Sequence, residues 1–146
     1  MQNTNLARLI AIAAARHADQ FDKGGRPYIL HVMAVMYLTD TDCDEVKQIA
    51  AGHDLVEDTN TTYQELLDLG FSKRVVDGIR ALTKVRGETQ EEYEAKVMAN
   101  KDARLVKMAD LRHNSDITRL KGVTEKDVQR IQKYMKFYTK LKAYND

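Results

Sequence analysis

Proline is almost missing from this chain: Pro27 is the only one in 146 residues. Alternation of β-branched and polar residues is scarce as well, which leaves little basis for a β fold. Apolar residues recur instead at helical spacing almost everywhere. Cysteine is nearly absent, and a lone Cys43 cannot form an internal disulfide; a cytoplasmic location is the default. No basic excess exists, because 23 Lys and Arg face 22 Asp and Glu for a formal net charge of +1. A dedicated duplex-DNA binder carries a marked positive surplus, so no nucleic-acid partner is expected. The apolar run LIAIAAA near the N-terminus is far shorter than the ~20 residues of a membrane span. It lacks a basic segment before it and runs on into charged helical sequence, which reads against a signal peptide.

What is present is the composition of an ordinary globular protein, with 43% hydrophobic and 31% charged residues. Leu6, Ile10, Ala13 and Ala14 predict a first helix ending near the turn DKGG. Pro27 suits the first turn of a second, running to about Leu38. Asp42 or Asp44 can cap a third that continues through Val56. Thr61 or Thr62 opens TYQELLDLG, which Gly70 closes. Ser72 and Thr89 precede two more helices, residues 103 to 119 make another, and Thr124 caps a long last one. With no repeat, linker or low-complexity tract, residues 1–146 read as one all-α domain.

The segment AGHDLVEDTN, residues 51 to 60, is unusual. It holds His53, Asp54, Glu57 and Asp58 among apolar residues and has no lysine or arginine. On a helix, Asp54, Glu57 and Asp58 share one face, where like charges repel. A later segment, LVKMADLRHNSD, places Asp110, His113 and Asn114 at the same spacing. His31 lies inside the apolar stretch YILHVMAVMYL, where an unpartnered ring would be expensive to bury. Singly, each has an ordinary reading: His31 as a hydrogen-bonded core histidine, Asp54 and Asp58 as capping or solvated groups, Asp110 as the partner of Arg112, Arg119 or another cation.

Together they have a better one. His31, His53, Asp54 and Asp110 can bind one divalent cation, which offsets the clustered negative charge. Mixed nitrogen and oxygen ligands suit several first-row metals. Four ligands on an octahedral ion leave positions for water and substrate, unlike a closed, thiolate-rich structural zinc site. Such an ion lowers the pKa of water from ~15.7 towards ~7. Glu57 and Asp58, just beyond the ligands, are candidates to orient that water and take its proton. The reaction class is metal-assisted hydrolysis.

The order His31, His53-Asp54, Asp110 resembles the HD-domain metal-dependent phosphohydrolases. More narrowly, GRPYILHVMAVM, AGHDLVEDT and VKMADLRHNSD resemble the hydrolase domain of RelA/SpoT-type alarmone enzymes, in a likeness that also takes in GFSKRVVDGIRALTK and the RGETQEEY loop. The resemblance implies a helical HD fold, a single Mn²⁺, and removal of the 3′-pyrophosphate from (p)ppGpp. It assigns the metal to His31, His53, Asp54 and Asp110, catalysis to Glu57 and Asp58, and nucleotide contacts to Lys23, Tyr28 and Asn114. The chain looks like a small stand-alone alarmone hydrolase; whether it forms a homo-oligomer is left open.

Two departures stand out. Val32 replaces the family's proline, a local change at the helix start. Asp22 replaces an arginine in a phosphate-binding loop, exchanging a cation for an anion, which predicts weakened or relaxed substrate binding. Arg26, Lys84 or Arg86 are the cations placed to compensate. The alternatives keep the site and change the substrate, to (p)ppApp, NADPH or nucleoside monophosphates, or drop turnover for a nucleotide sensor. Elsewhere, His17 reads as a surface or helix-end residue, His113 as a supporting group beside the metal, and Arg16 as surface. Ile131, Tyr134, Tyr138 and Leu141 read as a core stripe on the last helix, with Lys133, Lys136, Lys140 and Lys142 on its wet face.

Overall fold

The computed structural model describes residues 3–145. The fold is all-α: nine α-helices and one short 3-10 turn are found among the described residues, and the sole extended pairing there is an isolated bridge between Phe21 and Pro27. In chain order the helices are α1 (Asn5–Arg16), α2 (Ile29–Leu38), α3 (Asp44–Gly52), α4 (Leu55–Asp58), α5 (Tyr63–Asp68), α6 (Lys73–Leu82), α7 (Gln90–Met98), α8 (Lys101–Asn114) and α9 (Glu125–Asn145). The 3-10 turn, Ile117–Arg119, lies between α8 and α9.

The starts follow local chemistry. Thr62, Ser72 and Asn100 each accept a backbone N–H from their own first turn, and Thr89 forms a full capping box with Glu92. Thr124 and Asp127 cap α9 reciprocally, at 3.2 and 2.9 Å. Each such cap contributes about 1 kcal/mol. Four expected boundaries are corrected. The first helix stops at Arg16, well before DKGG. Cys43, with no side-chain bond, occupies the cap position of α3, while Asp44 lies in its first turn. The helix expected from 103 to 119 begins at Lys101, where Asn100 caps it, and breaks after Asn114.

The fourth correction matters most for the site. The third helix does not run through Val56; it ends at Gly52, and His53 and Asp54 form a turn before α4. Asp54 sits at the cap position of α4, yet its side chain caps nothing. It is free to point elsewhere.

Helix α3 is the centre of the molecule, packed against α1, α2, α6 and α8, with Val46, Gln48, Ile49, Ala50, Ala51 and Gly52 all buried. The approach of α3 to α6 is so close that a Cβ on Gly78 would meet Ile49 Cδ1 at 2.4 Å. Leu9, Ile49, Leu55, Leu66, Ile79 and Leu141 are fully buried around it, each contributing roughly 1.5–3 kcal/mol. On α9 the buried stripe includes Phe137 beside Leu141. Among the described residues, no helix is long and apolar enough to cross a membrane.

Candidate active site

Three elements converge where α3 ends. Helix α2 delivers His31, the turn delivers His53 and Asp54, and the buried face of α8 delivers Asp110. His31 Nε2 lies 3.0 Å from Asp110 Oδ1. His53 Nε2 lies 3.0 Å from Asp54 Oδ2 and 3.4 Å from Asp110 Oδ1. Ligating atoms of His31, His53 and Asp54 fall within 4.8 Å of one another. All four side chains are nearly buried, Asp54 being the most open at 13%.

The donor chemistry fits a cation. His53 Nδ1 is 2.7 Å from the carbonyl of Ala50; a carbonyl only accepts, so this nitrogen carries the proton. Nε2 is then a buried lone pair, without a hydrogen-bond partner, facing two carboxylates. That arrangement is repulsive unless a proton or a metal ion enters it. Burial disfavours a charged His53, but Asp54 and Asp110 outweigh it and raise its pKa well above the ordinary value. Asp110 answers in kind: burial opposes its charge, while Lys107 and the two imidazoles hold its pKa well below the usual carboxylate range. A divalent cation satisfies the same electrostatics without the proton.

His31 is oriented from behind. Its Nδ1 lies 2.8 Å from Nδ1 of His113, the two rings meeting edge to edge with their planes 26° apart. Burial, helped by Arg119 and His31, lowers the pKa of His113 to about 4. A neutral His113 can accept the Nδ1 proton of His31, and with a cation bound that tautomer would present the His31 Nε2 lone pair beside Asp110, the kind of support that metal-ligating histidines receive.

The compensating cation of the polypeptide itself is Lys107, a residue the sequence reading passed over. Its Nζ donates to Asp110 Oδ2 at 3.0 Å and lies 5.2 Å from the centre of the Tyr93 ring. Burial disfavours its charge, but Asp110 more than offsets this and raises its pKa. A signal existed: a lysine three residues before Asp110, between Val106 and Met108, faces inward with the aspartate.

Glu57 and Asp58 stand exposed at the cleft mouth, with ligating atoms within 4.8 Å of one another and of Asp54. Glu57 Oε1 accepts the backbone N–H of Lys84 at 2.8 Å. Asp58 is pushed up to about 6 by burial, then by the charges of Asp54 and Glu57. Asn114 donates from Nδ2 to Asp110 Oδ1 at 3.1 Å. The Tyr28 hydroxyl donates to Asp54 Oδ2, so Tyr28 braces the cluster while its ring lines the cleft.

The cleft over the cluster has a volume of about 170 Å³ and includes Lys84, Lys107 and Asn114 in its walls. A neighbouring cavity of about 310 Å³ contains Lys23 and Arg119. Tyr28, Asn114 and Tyr134 line both. Tyr134, half-buried at the junction, packs against the core as the stripe reading expects and also forms part of both walls. Arg86 is not brought in; it stays exposed in the α6–α7 loop and lines neither cavity.

Two further residues find partners that the sequence reading did not name. His17 takes the helix-end place of the two expected for it, at the C-terminal cap of α1, and is buried there, 1% exposed, with Nδ1 bonded to Gln20 at 2.8 Å. Asp22 is no free anion: its Oδ2 pairs with Arg119 Nη2 at 3.2 Å and its Oδ1 accepts the N–H of Arg26. Arg16 does lie at the surface, where it pairs with Glu65 at 2.7 Å.

No protein-family model matches the sequence. Curated relatives do. The bifunctional (p)ppGpp synthase/hydrolase SpoT of Escherichia coli is 35% identical over 126 residues, 77% of this chain and 18% of that protein. The guanosine-3′,5′-bis(diphosphate) 3′-pyrophosphohydrolase of Aquifex aeolicus is 34% identical over 72% of this chain and 16% of its own length. The chain thus spans less than a fifth of these bacterial relatives. The Danio rerio protein named guanosine-3′,5′-bis(diphosphate) 3′-pyrophosphohydrolase MESH1 is comparable in size. It is 32% identical over 145 aligned positions, 90% of this chain and 79% of that one. A solved structure of a metazoan ortholog of SpoT that hydrolyzes ppGpp shares the fold, with a TM-score of 0.78 at 22% identity over 97% of this chain and 86% of the other. An identity of 32% over 90% of this chain and 79% of the Danio rerio protein places this chain in the guanosine-3′,5′-bis(diphosphate) 3′-pyrophosphohydrolase family.

Proposed function

We propose that this chain is a Mn²⁺-dependent hydrolase that removes the 3′-pyrophosphate of (p)ppGpp, leaving GDP or GTP. The observation that carries the reading is the clustering of His31, Asp54 and Asp110 around His53, whose buried Nε2 has no hydrogen-bond partner, in a chain of this family. When bound there, the divalent ion supplies Lewis acidity and lowers the pKa of water.

The protein's own residues do the rest. Glu57 orients the attacking water and accepts its proton, held in place by the Lys84 N–H. Asp58 shares that role, its pKa of about 6 being close to working pH, where a base is most effective. The water oxygen bonds to the phosphorus nearest the ribose, the bond from that phosphorus to the 3′ oxygen breaks, and the 3′ oxygen takes up a proton. Lys107 keeps Asp110 ionised. Lys84 in one cavity and Lys23 in the next are placed to meet phosphates on either side of the cluster. Tyr28 and Asn114 line both spaces and contact the nucleoside between them. A cytoplasmic site of action accords with this substrate class.

A substrate panel tests the reading. With Mn²⁺, (p)ppGpp should be turned over in preference to (p)ppApp, NADPH and nucleoside monophosphates, and Mg²⁺ or Zn²⁺ should support less activity. Turnover confined to monophosphates, with orthophosphate as product, would replace the reading with that of a nucleotide phosphatase.

A further inference from the structure

The loop that carries Lys23 is held from outside itself. Asp22 closes its turn through Oδ1, which accepts the N–H of Arg26 at 2.9 Å. Its Oδ2 reaches across to Arg119 Nη2 at 3.2 Å. Independently, Gly24 lies so near the 3-10 turn that a Cβ there would sit 2.1 Å from the carbonyl oxygen of Arg119. Only glycine lets the two backbones meet. One side-chain contact and one backbone contact therefore dock the Lys23 loop onto the segment after α8.

Arg119 also reaches the cluster. Its Nη1 donates to the carbonyl of His113 at 2.8 Å and to Asn114 Oδ1 at 3.3 Å. A guanidinium has donors only, so the Asn114 oxygen must face it. The Asn114 Nδ2 is thereby turned to Asp110 Oδ1. The Arg119 and Asp22 side chains are 18% and 10% exposed, so the pair is weakly screened and its geometry is well held.

We infer that Arg119 is a positioning residue for the nucleotide: held by Asp22, it sets the direction of the Asn114 amide and ties the Lys23 loop to the edge of the metal cluster. This rests on the alarmone reading above. It reverses the expectation for Asp22, whose charge is compensated by Arg119 and does not repel phosphate.

A double-mutant cycle tests it. Arg119→Met and Asn114→Ala are made singly and together, and steady-state kinetics on ppGpp with Mn²⁺ are measured beside thermal melting. Arg119→Met should raise KM about tenfold, the loss of one charge-assisted hydrogen bond. The double variant should exceed Asn114→Ala by clearly less than the loss that Arg119→Met causes alone, because the share acting through the Asn114 amide is already gone and only the Lys23-loop share remains. Asp22→Arg, which confronts Arg119 with a second guanidinium, should raise KM. If Arg119→Met does not fold, Asp22→Asn made alone and together with Asn114→Ala gives the same cycle. Independent, multiplying effects overturn the inference, as does an unchanged KM in Arg119→Met, or a lowered KM in Asp22→Arg. A wild-type chain that leaves ppGpp intact refutes the proposed function itself, before any variant is made, and the inference falls with it.

Discussion

The floor of the cleft and its rim are held by different means. On the floor, His31, His53 and Asp110 are 2%, 3% and 7% exposed, and each has its position set by a second group: His113, the Ala50 carbonyl and Lys107. On the rim, Glu57, Asp58 and Lys23 stand in solvent, held by one or two backbone contacts or by a docked loop. A buried cluster of like charges destabilises the chain unless it is compensated, so its geometry is fixed by many contacts at once. A rim residue can be exchanged with little effect on folding. The floor should thus govern whether the metal binds, and the rim how fast and how tightly the nucleotide is handled.

The largest effect that can break this division is expected for Asp110→Ala. It leaves Lys107 buried without its carboxylate and should cost about 3–5 kcal/mol of stability, with loss of Mn²⁺ binding and turnover, as calorimetric melting and metal titration will show. Retained Mn²⁺ affinity would mean that Asp110 is structural only. Next in size, Glu57→Gln should lower kcat by roughly 10²–10⁴ and leave Mn²⁺ affinity alone. The amide oxygen still accepts from Lys84 but cannot take a proton. A parallel loss of metal would move Glu57 from the rim to the floor. His113→Ala, which removes the acceptor behind His31, should weaken Mn²⁺ binding roughly 10–100-fold, measured by isothermal titration.

The smallest effect concerns pH. The Asp58 carboxyl is pushed up to about 6 by burial and by Asp54 and Glu57. Between the ordinary carboxylate range near 4 and this value, the folded chain holds a proton that the unfolded chain has lost. Stability from this group is therefore full at low pH and falls as pH rises through that window. Because Asp58 is exposed to solvent, the effect is only about 1 kcal/mol. Asp58→Asn should stabilise the metal-free chain by that amount at pH 7 and not at pH 4, while slowing turnover. Equal denaturation midpoints for the variant and the wild type at pH 7 would count against the like-charge cluster.

The same division marks what could be read in the sequence. Floor residues were legible because a histidine inside YILHVMAVMYL, or three carboxylates without a cation in AGHDLVEDTN, is too expensive to leave unexplained. Local periodicity also gave most helix starts, since Thr62, Ser72, Thr89 and Thr124 act on their own first turns. The break at Gly52 was missed because His53 and Asp54 fit a helical pattern equally well, and only their tertiary partners pull them out of it. The pairing of Asp22 was not legible for a related reason. Its partner, Arg119, is 97 residues away in the chain, and no local pattern announces such a pair. Lys107 was the one miss with a local signal.

The most direct test of the account is to follow ppGpp and Mn²⁺ with the wild-type chain by ³¹P NMR. GDP and pyrophosphate should appear in equal amounts, and no product should form when Asp54→Ala replaces the wild type. Orthophosphate as the first product, or ppGpp left intact by the Mn²⁺-loaded chain, would contradict it.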